Sequence, residues 1–275
     1  MEKKNLTLSV ALAVYNEASN IEECLSSVKE IADEIIVVDG GSTDETVALV
    51  KKFGATVIVT DNPPIFHINK QKALDACHGS WILQLDADEV VPEKLAQEIR
   101  IVTGYGLRVM ESSNSSHGNT QPDNINGYYI PRKNYFWGHF MKKGGQYPDY
   151  VIRLVRKGKA MFPCKSVHEQ IEIDGEVGYL KEPMLHYSYR TTADYWKKAD
   201  TYTTLTAEEL KRKKVKITFG NWFIYTIGKP MYTLVNIFIR HKGFVDGWYG
   251  FVFAYWSALH YPIAWRKYTK KVSSI

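Results

Sequence analysis

The first hundred residues alternate between short apolar runs and longer stretches of mixed polarity. Several large aliphatic residues follow one another in each run, which is typical of strands buried on both faces of a sheet. The predicted strands cover residues 6–14, 34–39, 55–60 and 81–85. Helices are predicted at residues 19–31, 42–54 and 68–77. This alternation predicts a parallel α/β sheet whose strands are joined by right-handed helical crossovers.

Local signals predict where two of these helices begin and where one of them ends. Ser19 with Glu22 predicts a capping box, in which the two residues satisfy free amide groups at a helix start. Ser42 with Glu45 predicts the same arrangement for the next helix. Gly54 predicts the end of that helix, because glycine adopts the left-handed conformation at little cost.

The pattern changes after residue 102. Residues 103–126 are rich in Gly, Ser and Asn, which predicts a surface loop. Short strands are predicted at residues 127–132, 151–155, 170–173 and 177–180. We expect them to form a second half of the same domain.

Polar side chains follow three of the predicted parallel strands. They are Tyr15, Asn16 and Glu17 after the first strand, Asp39 at the end of the second, and Asp86 and Asp88 after the fourth. Ligands of open α/β sheets bind at this edge. Asp86 and Asp88 should point to the same side of an extended segment and suit Mg²⁺ or Mn²⁺ with diphosphate oxygens. The alternative is a solvated turn without a ligand.

Charge is concentrated at the end of the chain. Residues 211–275 hold twelve Lys/Arg and one acid, Asp246, so their net charge is +11. The net charge of the whole chain is +5, which leaves −6 on residues 1–210. Four of the seven tryptophans lie in the same segment, at Trp222, Trp248, Trp256 and Trp265. The apolar runs are too short to span a bilayer, which predicts interfacial helices on anionic lipid. The alternative is a helical cap packed on the catalytic domain. Nucleic acid is not expected, since no recognition motif accompanies the charge.

The cysteines and the start of the chain bear on the compartment. Cys24, Cys77 and Cys164 are scattered without metal-ligand spacing, which predicts free thiols in a reducing compartment. No apolar signal segment precedes the first strand. We therefore expect a cytoplasmic protein.

Three segments resemble the inverting glycosyltransferases of family 2, which have the GT-A fold: VYNE at 14–17, VVDGGSTD at 37–44 and LDADE at 85–89. YPD at 147–149, RLVRKG at 153–158 and VHE at 167–169 resemble a bacterial branch that glycosylates lipopolysaccharide cores. The resemblance implies a Rossmann-like GT-A domain, with a mostly parallel sheet flanked by helices. The basic, aromatic end of the chain would be a membrane-associated helical appendage to it.

The resemblance also implies a division of the chain. Residues 1–200 would be the catalytic domain, with a nucleotide-sugar half at 1–100 and an acceptor half at 127–190. Charge and aromatic content, and not the resemblance, predict that residues 201–275 are a basic, aromatic helical tail on the cytoplasmic face of the inner membrane. The implied substrates are a nucleotide-sugar, with UDP favoured, and a glycan or lipid-linked saccharide.

Individual residues inherit expected roles from this resemblance. Asp39 would contact the nucleotide base, and the nucleotide pocket would be lined by Tyr15, Asn16 and Glu17. Asp86 would contact the ribose or the metal through water. Asp88 would bind Mg²⁺ or Mn²⁺. Lys70 or Lys72 would lie near the uracil or diphosphate, and the sequence does not choose between them. His186 would contact the metal or the diphosphate.

An inverting transfer also needs a general base. The leaving nucleoside diphosphate develops charge that a metal offsets, and a carboxylate must take the proton of the acceptor hydroxyl. Glu169, which follows His168, is the first candidate, and Asp149 is the competitor. Arg153 and Arg156 are candidates to hold phosphate oxygens.

Two other classes remain open at this point. A haloacid dehalogenase-like phosphohydrolase also places Asp-x-Asp after a strand, but normally after the first strand of its sheet, whereas three strand–helix units precede Asp86 here. A non-catalytic carbohydrate-binding relative would keep the fold without turnover.

Overall fold

The structure is a computed structural model that describes residues 7–104, 124–164 and 170–273. The chain divides into two compact units. The first consists of Met1–Arg132 and Tyr150–His186, and the second of Lys133–Asp149 and Tyr187–Ile275. The predicted loop at 103–126 lies mostly outside the described residues.

The first unit begins with four strands separated by three helices. They are β1 Leu8–Val14, α1 Ile21–Val28, β2 Glu34–Asp39, α2 Thr46–Lys52, β3 Thr56–Val59, α3 His67–Ala76 and β4 Trp81–Leu85. The four strands are parallel and lie in the order β3-β2-β1-β4. The predicted parallel sheet is therefore confirmed, with every predicted element present.

Apolar burial explains why this sheet forms. All five residues of β4 are buried, and α1 turns Ile21, Cys24, Leu25 and Val28 towards the sheet at helical spacing. Burying one such aliphatic side chain contributes about 1.5–3 kcal/mol. The polar residues that follow each strand are thereby fixed at one edge of a rigid core.

The chain then adds short strands and one helix. They are β5 Glu89–Val90, α4 Glu93–Thr103, β6 Ile125–Phe136, β7 His139–Phe140, β8 Asp149–Arg156, β9 Ala160–Met161, β10 Glu172–Ile173, β11 Glu176–Tyr179 and β12 Met184–Tyr189. The sheet continues from β4 in the order β8-β6-β12-β5, while β9 and β10 pair separately. Because β8 runs antiparallel to β4, the α/β sheet is mixed beyond its parallel half.

The second unit is mainly helical, as predicted for the end of the chain. Its helices are α5 Thr192–Arg212, α6 Phe219–Phe223, α7 Lys229–Val235 and α8 Gly247–Ser273. The π-helical turns Ile224–Gly228 and Asn236–Arg240 make one continuous helix of residues 219–240, and the 3₁₀ turn Gly243–Asp246 precedes α8. Among the described residues, no helix has both the length and the apolar content needed to cross a bilayer.

Neither predicted capping box forms. The helix α1 begins one residue later than the Ser19 box requires and has no side-chain cap. The helix α2 begins at Thr46, because the hydroxyl of Ser42 hydrogen-bonds to Asp39 instead of capping a helix. The prediction for Gly54 is confirmed, since its φ of 71° places it in the left-handed region after α2. The three cysteines are free thiols, as expected.

Candidate active site

Asp39, the last residue of β2, is buried and held by the loop that follows it. Its Oδ2 accepts hydrogen bonds from the amides of Gly41 at 3.0 Å and Ser42 at 2.9 Å. Its Oδ1 accepts one from the Ser42 hydroxyl at 2.5 Å. A carboxylate offers about four acceptor positions, so these bonds leave about one position on Oδ1 for a ligand N–H group.

The loops after β1 and β2 are tied together beside Asp39. Asn16 has a φ of 55°. Its side-chain Oδ1 accepts a hydrogen bond from the backbone amide of Thr43 at 2.8 Å, and its backbone amide donates to Ser42 Oγ at 2.8 Å. The amide of Glu17 donates to Thr46 Oγ1 at 2.8 Å. These bonds pre-form a wall next to Asp39. The neighbouring Tyr15 is 44% exposed and offers an aromatic surface to a ligand.

Strand register places Asp39 and Asp86 at the same edge of the sheet. Val14 of β1 pairs with Asp39 of β2, and Leu12 of β1 pairs with Leu85 of β4. Adjacent strands lie about 4.8 Å apart, so the tips of β2 and β4 are separated by about 10 Å. That span fits a nucleoside diphosphate lying across β1.

Asp86, directly after β4, is flanked by two cations. Lys70 Nζ lies 2.5 Å from its Oδ1, and Arg153 Nη2 lies 2.6 Å from its Oδ2. Desolvation opposes ionisation of Asp86, but the charges of Arg153 and Lys70 outweigh it and hold its pKa well below the ordinary value. Although protein surrounds the carboxylate, 28% of the side-chain surface is accessible. Asp86 is therefore an ionised carboxylate with an open side.

A second carboxylate, Glu89, completes the cluster. Its wholly buried side chain accepts hydrogen bonds from Arg153 Nη2 at 2.7 Å, from Arg132 Nη1 at 3.3 Å and from the amide of Asp86 at 3.0 Å. Arg153 also donates to Gln84. We refer to Lys70, Asp86, Glu89, Arg132 and Arg153 as the charge cluster. Its two acids and three bases leave a formal charge of +1, which the neighbouring carboxylate of Asp88 offsets.

The structure distinguishes the environments of Lys70 and Lys72. Lys70 points into the charge cluster and lies 5.1 Å from the centroid of the Phe66 ring. Burial lowers the pKa of Lys70 below its ordinary value, against the opposing charge of Asp86. Lys72 instead donates to Thr60 Oγ1 at 2.8 Å. Of the two lysines, Lys70 is therefore the one in contact with Asp86.

Asp88 lies in a turn and not in an extended segment. The amide of Glu89 donates to the carbonyl of Asp86 at 3.0 Å, which closes the turn, so the period-two argument for Asp86 and Asp88 does not apply. Asp88 Oδ1 lies 3.5 Å from His186 Nε2. This proximity follows from the pairing of β12 with β5, in which His186 stands opposite Glu89.

Asp88 and His186 fit a divalent cation with few protein ligands. The 3.5 Å between Asp88 Oδ1 and His186 Nε2 exceeds a typical N–H···O distance. Carboxylate oxygen and imidazole nitrogen are both common ligands of divalent metal ions. Within the described part of the chain, no group of three or more His, Cys, Asp or Glu side chains could hold a metal alone. Mg²⁺ commonly takes one or two protein carboxylates and completes its shell with phosphates and water.

The remaining candidates are placed differently. Glu169 and His168 lie outside the described residues. Asp149 belongs to the second unit, where its Oδ2 accepts a hydrogen bond from Asn134 Nδ2 at 3.1 Å. Arg153 is engaged by Asp86 and Glu89, as described above.

Arg156 does not reach the diphosphate position. It pairs with Trp81, the first residue of β4, whereas Asp86 follows the last. Its guanidinium lies 4.6 Å from the centroid of the Trp81 ring, and its Nε donates to the carbonyl of Ile125 at 3.0 Å. Trp81 and Asp86 are five residues apart, which at about 3.3 Å per residue separates them by about 16 Å.

Residues 9–107 match the family model described as glycosyl transferase family 2. The chain is a glycosyltransferase, and its similarity to family 2 lies in residues 9–107. An uncharacterised glycosyltransferase of Rickettsia felis is 28% identical over 261 residues, which cover 89% of this chain and 83% of the relative. The lipopolysaccharide core biosynthesis glycosyltransferase LpsC of Rhizobium meliloti is 28% identical over 271 residues, covering 92% and 91%.

Solved structures show weaker similarity. TarS 1–349 of S. aureus is 16% identical, with a TM-score of 0.39 over 87% of this chain and 74% of that chain. Glucosyl-3-phosphoglycerate synthase of Mycobacterium tuberculosis, solved with Mn²⁺ and uridine diphosphate, is 23% identical, with a TM-score of 0.33 over 48% and 45%. The α/β architecture of this glycosyltransferase, expected for a GT-A domain, is seen directly in the strand order described above.

Proposed function

We propose that this glycosyltransferase moves a hexose from its UDP derivative, with inversion, to a hydroxyl of a glycan or glycolipid. The observation that carries the proposal is the convergence of Asp39 and Asp86 at one edge of the parallel sheet, about 10 Å apart. The acceptor class, a lipopolysaccharide core or another cell-surface glycan, is supported by the similarity to LpsC.

The nucleotide would lie across β1. The free acceptor position on Asp39 Oδ1 suits the single N–H group of a uracil ring, and the exposed face of Tyr15 suits stacking on that ring. Asn16 and Glu17 would line the same wall. Asp86, with its open side, would contact the ribose directly or the metal through water.

Asp88 and His186 would hold Mg²⁺ or Mn²⁺ beside the diphosphate. When bound, that ion supplies Lewis-acid stabilisation of the charge on the departing phosphate. Lys70 lies on the Asp86 side of the site and would add positive charge there; Lys72, on Thr60, is the less favoured candidate.

The acceptor hydroxyl would transfer its proton to Glu169, with Asp149 as the alternative base. We expect Glu169→Gln to keep donor affinity while lowering the turnover rate by about 10²- to 10⁴-fold, because a neutral amide does not accept the proton. Binding of the UDP-sugar by calorimetry and single-turnover transfer measure the two effects separately. Normal transfer by Glu169→Gln, with loss in Asp149→Asn, would move the role to Asp149.

A donor screen tests the proposal as a whole. The full chain is mixed with UDP-, GDP- and dTDP-sugars, with and without Mn²⁺, and its melting temperature and nucleotide release are followed. We expect a UDP-sugar to raise the melting temperature most, only with the ion, and UDP to appear when a glycan acceptor is added. Release of inorganic phosphate would instead identify a phosphohydrolase, and stabilisation by glycan without any nucleotide release would identify a binding relative.

A further inference from the structure

The second unit exposes a regular row of large apolar side chains along the continuous helix of residues 219–240. The row recurs every four residues, and each member is between 44% and 79% exposed. Its members are Phe219, Phe223, Ile227, Met231, Val235 and Ile239. Soluble proteins seldom expose apolar side chains in such an uninterrupted series.

The alternation of α and π turns keeps this row straight. An α-helix has about 3.6 residues per turn, so positions four apart drift around it in one direction. A π turn, with its i→i+5 bonds, takes more residues per turn and reverses the drift. The helix alternates α6, a π turn, α7 and a second π turn, so positions four apart stay on one side. Pro230, which lacks an amide proton, lies just after the first π turn.

The helix α8 adds a second exposed row. Trp248, Phe251 and Tyr255 are exposed at spacings of three and four, which place them on one helix face. The ring of Phe238 lies 5.7 Å from that of Phe251, so the two helices are in contact. We call the first row, on the helix of residues 219–240, the apolar face. Of the other tail tryptophans, Trp256 and Trp265 pack into aromatic clusters inside the unit.

The charges around the apolar face have one sign. Lys214 and Lys216 precede the helix, Arg240 and Lys242 end it, and all four are exposed. No acid occurs between residues 211 and 245. Asp246, the single acid of the tail, is buried, where its carboxylate accepts hydrogen bonds from the amides of Lys142 and Lys143 and contacts His139 Nε2 at 3.0 Å.

We propose that the apolar face inserts into the interfacial region of a lipid leaflet that contains anionic headgroups. Apolar and aromatic side chains would enter the headgroup boundary, while the basic residues at both ends of the helix bind the negative surface. A second copy of the chain fits less well, because a symmetric pairing of the two faces would oppose basic ends to basic ends. The inference does not depend on the donor chemistry proposed above.

Vesicle sedimentation of the full chain tests this proposal. We expect binding to vesicles of phosphatidylcholine and phosphatidylglycerol at three to one, weaker binding to pure phosphatidylcholine, and release at 0.5 M salt. Ile239→Glu should lower the partition constant at least about tenfold. The matched control is Ile101→Glu on α4, since Ile101 is 57% exposed against 60% for Ile239.

The other outcomes overturn the inference. Equal binding of both variants and wild type, or an equal loss in both, would show that the apolar face is not the lipid contact. A concentration-dependent dimer in light scattering, broken by Ile239→Glu and without vesicle binding, would assign the face to a second copy. UDP release with a soluble acceptor should stay unchanged in Ile239→Glu, so failure of the lipid proposal and failure of the transferase proposal are distinguishable.

Discussion

Two carboxylates stand at the ends of β2 and β4, the strands on either side of β1 in the parallel sheet, and they are held by different forces. Asp39 is fixed by neutral N–H and O–H groups of its own loop, no more than three residues away. Asp86 is fixed by Lys70 and Arg153, and the latter bond spans 67 residues. A neutral loop therefore fixes the acceptor that we propose for the nucleotide base, whereas a buried set of ion pairs fixes charge at the proposed diphosphate end.

The difference has an energetic meaning. Hydrogen bonds from neutral N–H and O–H groups to a carboxylate contribute about 1.5–3 kcal/mol each. Removing one partner of a buried ion pair costs about 3–5 kcal/mol, because the other charge stays uncompensated. Substitutions at the β2 end should therefore lower ligand affinity at a smaller cost in stability than substitutions at the β4 end, which should lower both activity and stability.

The largest effect is expected at Asp88, the proposed metal ligand. Asp88→Ala should lower UDP release by roughly 10³-fold or more, because the leaving diphosphate loses its counter-ion. Steady-state release at saturating Mn²⁺ measures it, with the exposed Asp75→Ala on α3 as control. Activity of Asp88→Ala within a factor of three of wild type would refute the metal assignment.

Arg153→Ala should have the largest effect on stability. It leaves Asp86 and the buried Glu89 without their shared guanidinium, at a cost of about 3–5 kcal/mol in the free energy of unfolding. Urea titration measures this cost, and Arg100→Ala, which removes one surface bond to the carbonyl of Glu30, is the control. Equal losses in the two variants would mean that the charge cluster is not a strongly coupled unit.

The same contrast explains how much could be predicted from the sequence. The parallel half followed from its apolar runs, and the position of Asp39 followed from the strand before it. Arg153 was expected on phosphate but binds Asp86 and Glu89, and Arg132 carried no signal at all. These contacts depend on the antiparallel pairing of β8 with β4, which no local pattern encodes. Only the position of Glu89, directly after Asp-x-Asp, could have drawn attention to it.

Asp39→Asn should weaken binding of the UDP-sugar. In this variant, the side-chain NH2 group would face N–H or O–H groups that now donate to a carboxylate oxygen. We therefore expect about tenfold weaker UDP-sugar binding and a stability loss of about 1–3 kcal/mol. Calorimetric titration with UDP measures the affinity. Asp61→Asn, at an exposed carboxylate that accepts from Thr60 Oγ1, is the control, and unchanged affinity in Asp39→Asn would contradict the proposed base contact.

The smallest effect concerns pH and Lys70. Arg153 and Lys70 hold the pKa of Asp86 below its ordinary value, so the stability that ionised Asp86 contributes is present above the unfolded-state pKa of about 3.9 and is lost as the pH falls through the folded-state value. Lys70→Met removes one of the two cations and should cost about 1–2 kcal/mol near pH 6.

The difference between wild type and Lys70→Met should therefore stay constant above about pH 4 and shrink only as the pH falls through the folded-state pKa of Asp86, because protonated Asp86 no longer gains from the cation. Urea titrations at pH 6, 4, 3 and 2 follow this difference. Lys72→Met is the matched control, since it donates to the hydroxyl of Thr60 and the carboxylate that its charge affects, Asp61, is exposed, so its difference from wild type should change much less through this range. A difference for Lys70→Met that stays constant down to pH 2 would mean that Lys70 acts by packing against Phe66 and not through the charge of Asp86. The β4 end would then rely on Arg153 alone as the cation at Asp86.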